Sequence, residues 1–336
     1  MLHAHSKALA AYSAARKALP LGVLPRIEAE IGRIGTAPYR RPGSKALGQS
    51  IEQAFKKGCN VVILQNHGVM VGGQSLKDAL DKLEKLERLA RICTTAAQAG
   101  AALTLPACAA VHDVQAEIEA RPRFAPEEPD ARECDARAQV AAWANRAYEM
   151  GHCTAFSGCF AVRVSGHSFI INPQRHDRQA LLPEDTVLIS CGKIEAGKTP
   201  DPHVLLAEQV FSQQPETIGF IAADPCGIMA FAVTDMAYQA AASPESYGML
   251  EDMQALPYGA WQNDPADTAG RLTPRRPAVL VKNDCLLVTG TSVFNTFDCL
   301  EVCEFTAQTL LQAEALGGLM PLTEKERAEL DKRTGR

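Results

Sequence analysis

The sequence predicts an α/β protein, and three observations carry that prediction. Helical and strand patterns alternate along the chain. The run "NVVILQ" at 60–65 is aliphatic between two polar ends, as a buried strand is, and "NHG" then leads into a second short strand, "VMVGG". Finally, the segment from Val71 onward returns 217 residues later. Val71, Gly73, Ser75, Asp81, Leu83, Glu84, Glu87, Ala90, Ala96 and Gly100 face identical residues from Val288 to Gly317. A match of turn, cap and helix end together indicates one supersecondary unit used twice.

Residues 7–20 read as a helix stopped by Pro20. "GTAPYRRPGS" (35–44) reads as a loop, because two prolines and two glycines fall in ten residues. An amphipathic helix follows over 45–58, closed by Gly58. After the two strands, a long helix runs from about Ser75, its N-cap, to Ala99, with Leu76, Leu80, Leu83, Leu86, Leu89 and Ile92 at helical spacing. Residues 119–136 are rich in proline and charge. The expected division is therefore a first domain over 1–118, a linker over 119–130 and a second domain over 131–325. In the latter, a helix covers 137–151, a hairpin turns at Ser165-Gly166, and "DTVLISCGKIEAGK" forms a strand pair.

Composition bounds the function. With 46% hydrophobic and 22% charged residues, the chain can bury sizeable cores. A net charge of -5 argues against a nucleic-acid partner. No apolar run approaches the roughly 20 residues of a membrane helix, and no secretory signal is visible. Eleven cysteines without a framework point to reduced thiols and a cytoplasmic protein. Cys299 and Cys303, four apart on a helix, fit core packing better than a metal pair.

The chemistry-bearing residues are histidines. In an extended "MLHAHS", His3 and His5 point to the same side. His67, in a turn after a buried strand, is the natural third partner. Three neutral imidazoles with open positions suit a catalytic Zn²⁺, and Co²⁺ or Mn²⁺ could substitute. The same spacing also fits two exposed histidines and a turn residue. His112, His152, His167, His176 and His203 have no comparable partners in sequence and read as surface or packing residues.

"HAHS", "APYRRPGS", "VVILQNHGVMVGG" and a long Glu-rich helix ending in "AAQAG" resemble, in order and spacing, the class II aldolase/adducin family. Residues 1–105 resemble the second half of one family domain, and about 131–320 a whole, more degenerate domain. The resemblance implies three-layer α/β/α domains around a mostly antiparallel sheet, one copy partial and one complete, often assembled as oligomers. It also implies a zinc site at His3, His5 and His67. The activity it implies is metal-dependent cleavage or formation of a C–C bond in a small sugar phosphate, through a zinc-stabilised enediolate. Some family members carry an acid near Glu28, which makes Glu28 the expected proton carrier. Asn66 and Tyr39 are the expected substrate contacts.

The departures from the pattern are specific. The family's phosphate-binding Gly-Asn-x-Ser and its Pro-Ser-Ser-Glu belong to the half that residues 1–105 do not include. In the second copy those places hold "GCFA" (158–161) and "PDPH" (200–203), and the histidine positions hold Ala222, Asp224 and Asp284. No zinc centre of the family type is expected there. Two other readings remain: a non-catalytic assembly protein of the adducin type, and an incomplete version of an active two-domain enzyme.

Overall fold

The computed structural model describes residues 1–107, 110–250 and 253–334. Cys108 lies outside them. The chain divides into two compact units, Met1–Leu105 and Pro106–Arg336.

Unit 1 is a four-stranded sheet of β1 (Leu2–Ala4), β2 (Ile34–Ala37), β3 (Val61–Leu64) and β4 (Gly68–Val71), in the order β1-β4-β3-β2. β4 runs antiparallel to both β1 and β3, and β2 runs parallel to β3. All four residues of β3 are buried, so the sheet is covered on both faces. Val62 and Leu64 pack with Ala54, Ile51 and Phe55 of helix Lys45–Lys56. Helices Lys7–Ala15 and Leu76–Gln98 bury Leu9, Leu86, Leu89 and Ile92. Each such aliphatic side chain contributes about 1.5–3 kcal/mol on full burial.

Two expectations are corrected here. The first helix ends at Ala15, not at Pro20, because Arg16 turns left-handed (φ 53°) and its N–H bonds back to the helix. Gly35–Ala37, expected in a loop, pairs as β2. Gly35 permits this, since a Cβ there would lie 2.8 Å from Cys59 Sγ.

Unit 2 carries a nine-stranded sheet. Its strands are β5 (Arg123–Phe124), β6 (Cys159–Ser165), β7 (Ser168–Ile171), β8 (Val187–Ser190), β9 (Lys193–Glu195), β10 (Gly219–Ala223), β11 (Gln254–Leu256), β12 (Ala278–Val281) and β13 (Cys285–Gly290), in the order β11-β12-β13-β10-β6-β7-β8-β9-β5. The two outermost pairs, β11–β12 and β9–β5, are parallel, and the others are antiparallel. Successive residues Cys159, Phe160 and Ala161 are all fully buried, so this sheet too is covered on both faces. Within the stretch expected to be a linker, 119–130, Arg123–Phe124 joins the sheet edge. The helix expected from 137 starts at Ala131, where Asp130 caps it.

The two units match in register. His3 pairs Met70 and Ala4 pairs Val69 in unit 1, while Ala222 pairs Leu287 and Ala223 pairs Leu286 in unit 2. Helices Leu76–Gln98 and Val293–Ala315 are both 23 residues long and capped by Ser75 and Ser292. Glu87 accepts the Ala8 and Leu9 N–H groups, and Glu304 accepts those of Gly227 and Ile228. Gly73 and Gly290 each face the first turn of the following helix so closely that a Cβ would lie 2.7 Å from a backbone N. In unit 2, β10 is flanked by β13 and β6; in unit 1, β1 has β4 on one side and forms the sheet edge.

No disulfide joins the ten described cysteines, and Cys299 and Cys303 are buried in the core. No described helix is long and apolar enough to cross a membrane.

Candidate metal centre

Strand alternation places His3 and His5 on one side of β1 and its extension, and the β3–β4 turn brings His67 to them. That turn is built for the purpose. Asn66 adopts the left-handed conformation (φ 55°) that Asn tolerates better than most residues. Buried Ser13 donates from Oγ to the Leu64 carbonyl at 2.5 Å, and its Oγ accepts the His67 N–H at 3.4 Å. Gly68 leaves room for His5: a Cβ there would lie 2.7 Å from His5 Cδ2 and 2.5 Å from the Ala4 carbonyl oxygen. Sequence patterning points to the glycine but gives no sign of Ser13, one small residue in an alanine-rich helix.

The three rings converge, with centroids 4.8, 5.1 and 5.0 Å apart. One ligand atom from each lies within 4.8 Å of the others. His3 Nδ1 donates to the Val69 carbonyl at 2.9 Å, which leaves its Nε2 with a free lone pair. That Nε2 faces His5 Nε2 at 3.0 Å. Two nitrogens bound tetrahedrally to one zinc sit about 3.3 Å apart at ordinary Zn–N lengths. His67 Nδ1 is buried without a hydrogen-bond partner. Burial, then the neighbouring His3 and His5, hold the His67 ring below the usual histidine pKa and so keep it neutral, as ligation requires. The arrangement fits a divalent metal ion.

The family model for the Class II Aldolase and Adducin N-terminal domain matches residues 1–94 and 138–311. The chain belongs to this family. Three solved structures share the class II aldolase fold with it at low identity. YgbL from Klebsiella pneumoniae, described as a candidate aldolase/epimerase/decarboxylase, is 18% identical with a TM-score of 0.53, over 59% of this chain and 98% of that one. YgbL from Escherichia coli gives 19% and 0.54 over the same shares. The L-fuculose 1-phosphate aldolase from Glaciozyma antarctica PI12 gives 18% and 0.52, over 62% and 86%. Comparison with curated proteins gives no match.

The other expected residues of this family member stand as follows. Glu28 is exposed in the first turn of helix Pro25–Ile31 and is not part of the histidine group. Its neighbour Glu30 is committed to an ion pair with Lys85, which also binds Asp81 at 2.8 Å. Tyr39 is exposed, and its N–H donates to Gln65 Oε1 at 3.3 Å, which ties the loop to a residue two before His67. Asn66 is exposed, with its Oδ1 accepting from Arg16 at 3.4 Å.

The second matched stretch differs at every histidine position. Ala222 is buried, Asp224 accepts from Ser157 Oγ at 3.2 Å, and Asp284 accepts from Trp261 Nε1 at 2.7 Å. His203, expected to lack partners, stacks on Trp261 at 4.2 Å and donates to Asp201 at 2.8 Å.

Proposed function

We propose that the N-terminal site is the metal centre of a lyase acting on a small sugar phosphate, with His3, His5 and His67 as ligands and zinc as the ion. The single observation that carries this reading is the convergence of three imidazoles, one with its tautomer fixed and one with an orphaned buried nitrogen. An ion held there supplies Lewis-acid polarisation of a substrate carbonyl and stabilises the charge that builds as a C–C bond breaks. Val69 orients His3, Gly68 gives His5 its space, and Ser13 fixes the approach of His67. Asn66 and Tyr39, both exposed at the same end of the sheet, are the proposed substrate contacts. Glu28 is the proposed proton carrier, although nothing around its carboxylate marks it for acid–base work.

The matching registers, caps and glycine approaches support one partial copy of the family domain in unit 1 and one complete copy in unit 2. A cytoplasmic homo-oligomer is the proposed state. The similarity in fold to an L-fuculose 1-phosphate aldolase makes ketose 1-phosphates the first substrates to try.

The test is aldol cleavage by zinc-loaded protein, read as aldehyde release, beside metal content by plasma mass spectrometry. Zinc-dependent release that is lost in His67→Ala is expected. Bound zinc without turnover on any sugar phosphate would favour the adducin-type assembly reading. Failure to retain metal in the wild-type N-terminal site would overturn both the ligand set and the lyase.

A further inference from the structure

Unit 1 holds a cavity of about 480 Å³ that is lined by none of the three histidines. It lies between the start of helix Lys7–Ala15 and the C-terminal half of helix Leu76–Gln98. Its polar lining is Lys7, Glu87, Arg91, Thr94 and Thr95. Arg91 and Thr95 are four apart, so they share one helix face, with Thr94 beside them. The Thr94 hydroxyl is spent on the Ala90 carbonyl at 2.7 Å. The side chains of Lys7, Arg91 and Thr95 make no hydrogen bond or ion pair among the described residues.

The two cations do not serve the fold. Lys7 holds the first position of its helix, the end where the backbone dipole favours anions, and no acidic residue stands in that first turn. Glu87 is the carboxylate of the lining, and both its oxygens are taken, by the Ala8 N–H at 2.9 Å and the Leu9 N–H at 3.0 Å. The cavity therefore sets two positive charges against one negative charge that is already occupied. Unit 2 repeats this frame without the cations. Lys7, Arg91 and Thr94 match Cys226, Gln308 and Leu311 there. Glu304 again accepts two backbone N–H groups, and Gln308 closes on it at 2.8 Å. Anchoring the helix thus needs neither a lysine nor an arginine, and the charge pair of unit 1 is left for something else.

We propose that this cavity binds a phosphate dianion, free or as a phosphomonoester, held by Lys7 Nζ, the Arg91 guanidinium and the Thr95 hydroxyl. The guanidinium matches two phosphate oxygens at once, the ammonium adds a compact charge, and the hydroxyl adds a neutral donor. A dianion balances both cations, which a single carboxylate does not. Lys7 follows His5 by two residues, so their Cα atoms are at most about 7 Å apart. That the bound phosphate is the substrate's own rests on the lyase reading. That the cavity takes phosphate does not.

The experiment titrates inorganic phosphate, glycerol 3-phosphate and glycerol into the full chain at low salt, read by isothermal calorimetry. The two phosphates should bind and glycerol should not. Lys7→Ala and Arg91→Gln should each weaken phosphate binding by about 10-fold or more, and Arg91→Lys should restore part of it. His67→Ala should bind phosphate at wild-type strength, because the cavity uses no metal. Both cationic side chains are exposed, so thermal melts of these variants should match wild type. Wild-type protein that binds no phosphate, or variants at Lys7 and Arg91 that bind it as tightly as wild type, overturn the proposal. During turnover, a KM raised by Lys7→Ala at constant kcat assigns the cavity to the substrate's phosphate; an unchanged KM beside lost binding assigns it to a free phosphate. Phosphate binding without turnover ends the lyase reading and leaves the cavity standing, and turnover without phosphate binding does the reverse.

Discussion

At Gly68 a methyl group would collide with the ring of His5; at the matching place in unit 2, 217 residues on, Cys285 carries a buried thiol in comfort. The difference follows from the partner. His5 corresponds to Asp224, whose shorter side chain turns to Ser157, so the space that glycine must leave open in unit 1 is not needed in unit 2. The left-handed asparagine before it is kept in both, as Asn66 and Asn283 (φ 55° and 60°). Turn geometry, strand register and the carboxylate that caps the following helix are thus shared, while the side chains aimed from that frame are not. The backbone that presents a metal ligand is separable from the ligand itself.

The largest expected effect breaks the comparison outright. His67→Ala should weaken metal binding at the N-terminal site by more than about 100-fold, because changes outside the ligand set alone cost 10–100-fold. Asp284→Ala at the matching position should leave that binding unaltered. Zinc titration of both variants against a chromogenic chelator checks the pair.

Gly68→Ala comes next. The added methyl must push aside the Ala4 carbonyl or the His5 ring, which should cost about 1–3 kcal/mol of stability and weaken metal binding with it. Urea denaturation with and without zinc separates the two losses. Stability and binding both at wild-type level would show that the close approach at Gly68 is not what seats His5.

Trp261→Phe sharpens the unit 2 side. It removes the 2.7 Å bond to Asp284 and leaves that buried carboxylate oxygen with Gln262 at 3.4 Å, at a cost of about 1–3 kcal/mol in chemical denaturation.

The smallest effect is a pH dependence confined to unit 2. Burial by itself would raise the Glu195 pKa, but bonds from Lys198, the Leu188 N–H and Arg137 outweigh it and hold Glu195 below the usual glutamate value. The folded value is therefore the lower one. Its stabilisation is complete above the unfolded pKa of about 4.3 and disappears as the pH falls through the folded value. Thermal melts of Glu195→Gln should lie below wild type at neutral pH and meet it under acid conditions.

Much of this was legible in the sequence, for identifiable reasons. The 45–56 helix declares itself through its amphipathic spacing and the closing Gly58, and the 76–98 helix through the Ser75 cap and its aliphatic residues at helical spacing. The histidines could be grouped because two share a strand and the third follows a buried one. The early stop at Arg16 was not legible, since a left-handed arginine leaves no compositional mark. β2 was hidden by Gly35 within it and by Pro38, Pro42 and Gly43 just after it, because its pairing with β3 is decided by tertiary contact. The Lys7, Arg91 and Thr95 group was invisible for a different reason. Its members come from two helices, and no local pattern links residues so far apart in sequence.

His3 lies on a strand of only three residues at the outer margin of its sheet, and His5 directly follows that strand. So short an edge strand opens readily in a protein at rest. An ion gripped by His3, His5 and His67 would act on it as a rivet, fastening the loose margin to the firm turn after β3. Amide hydrogens at Val69 and Val71 would then exchange more slowly when zinc is added, so the readiness of the site and the integrity of the sheet's margin rise and fall as one quantity.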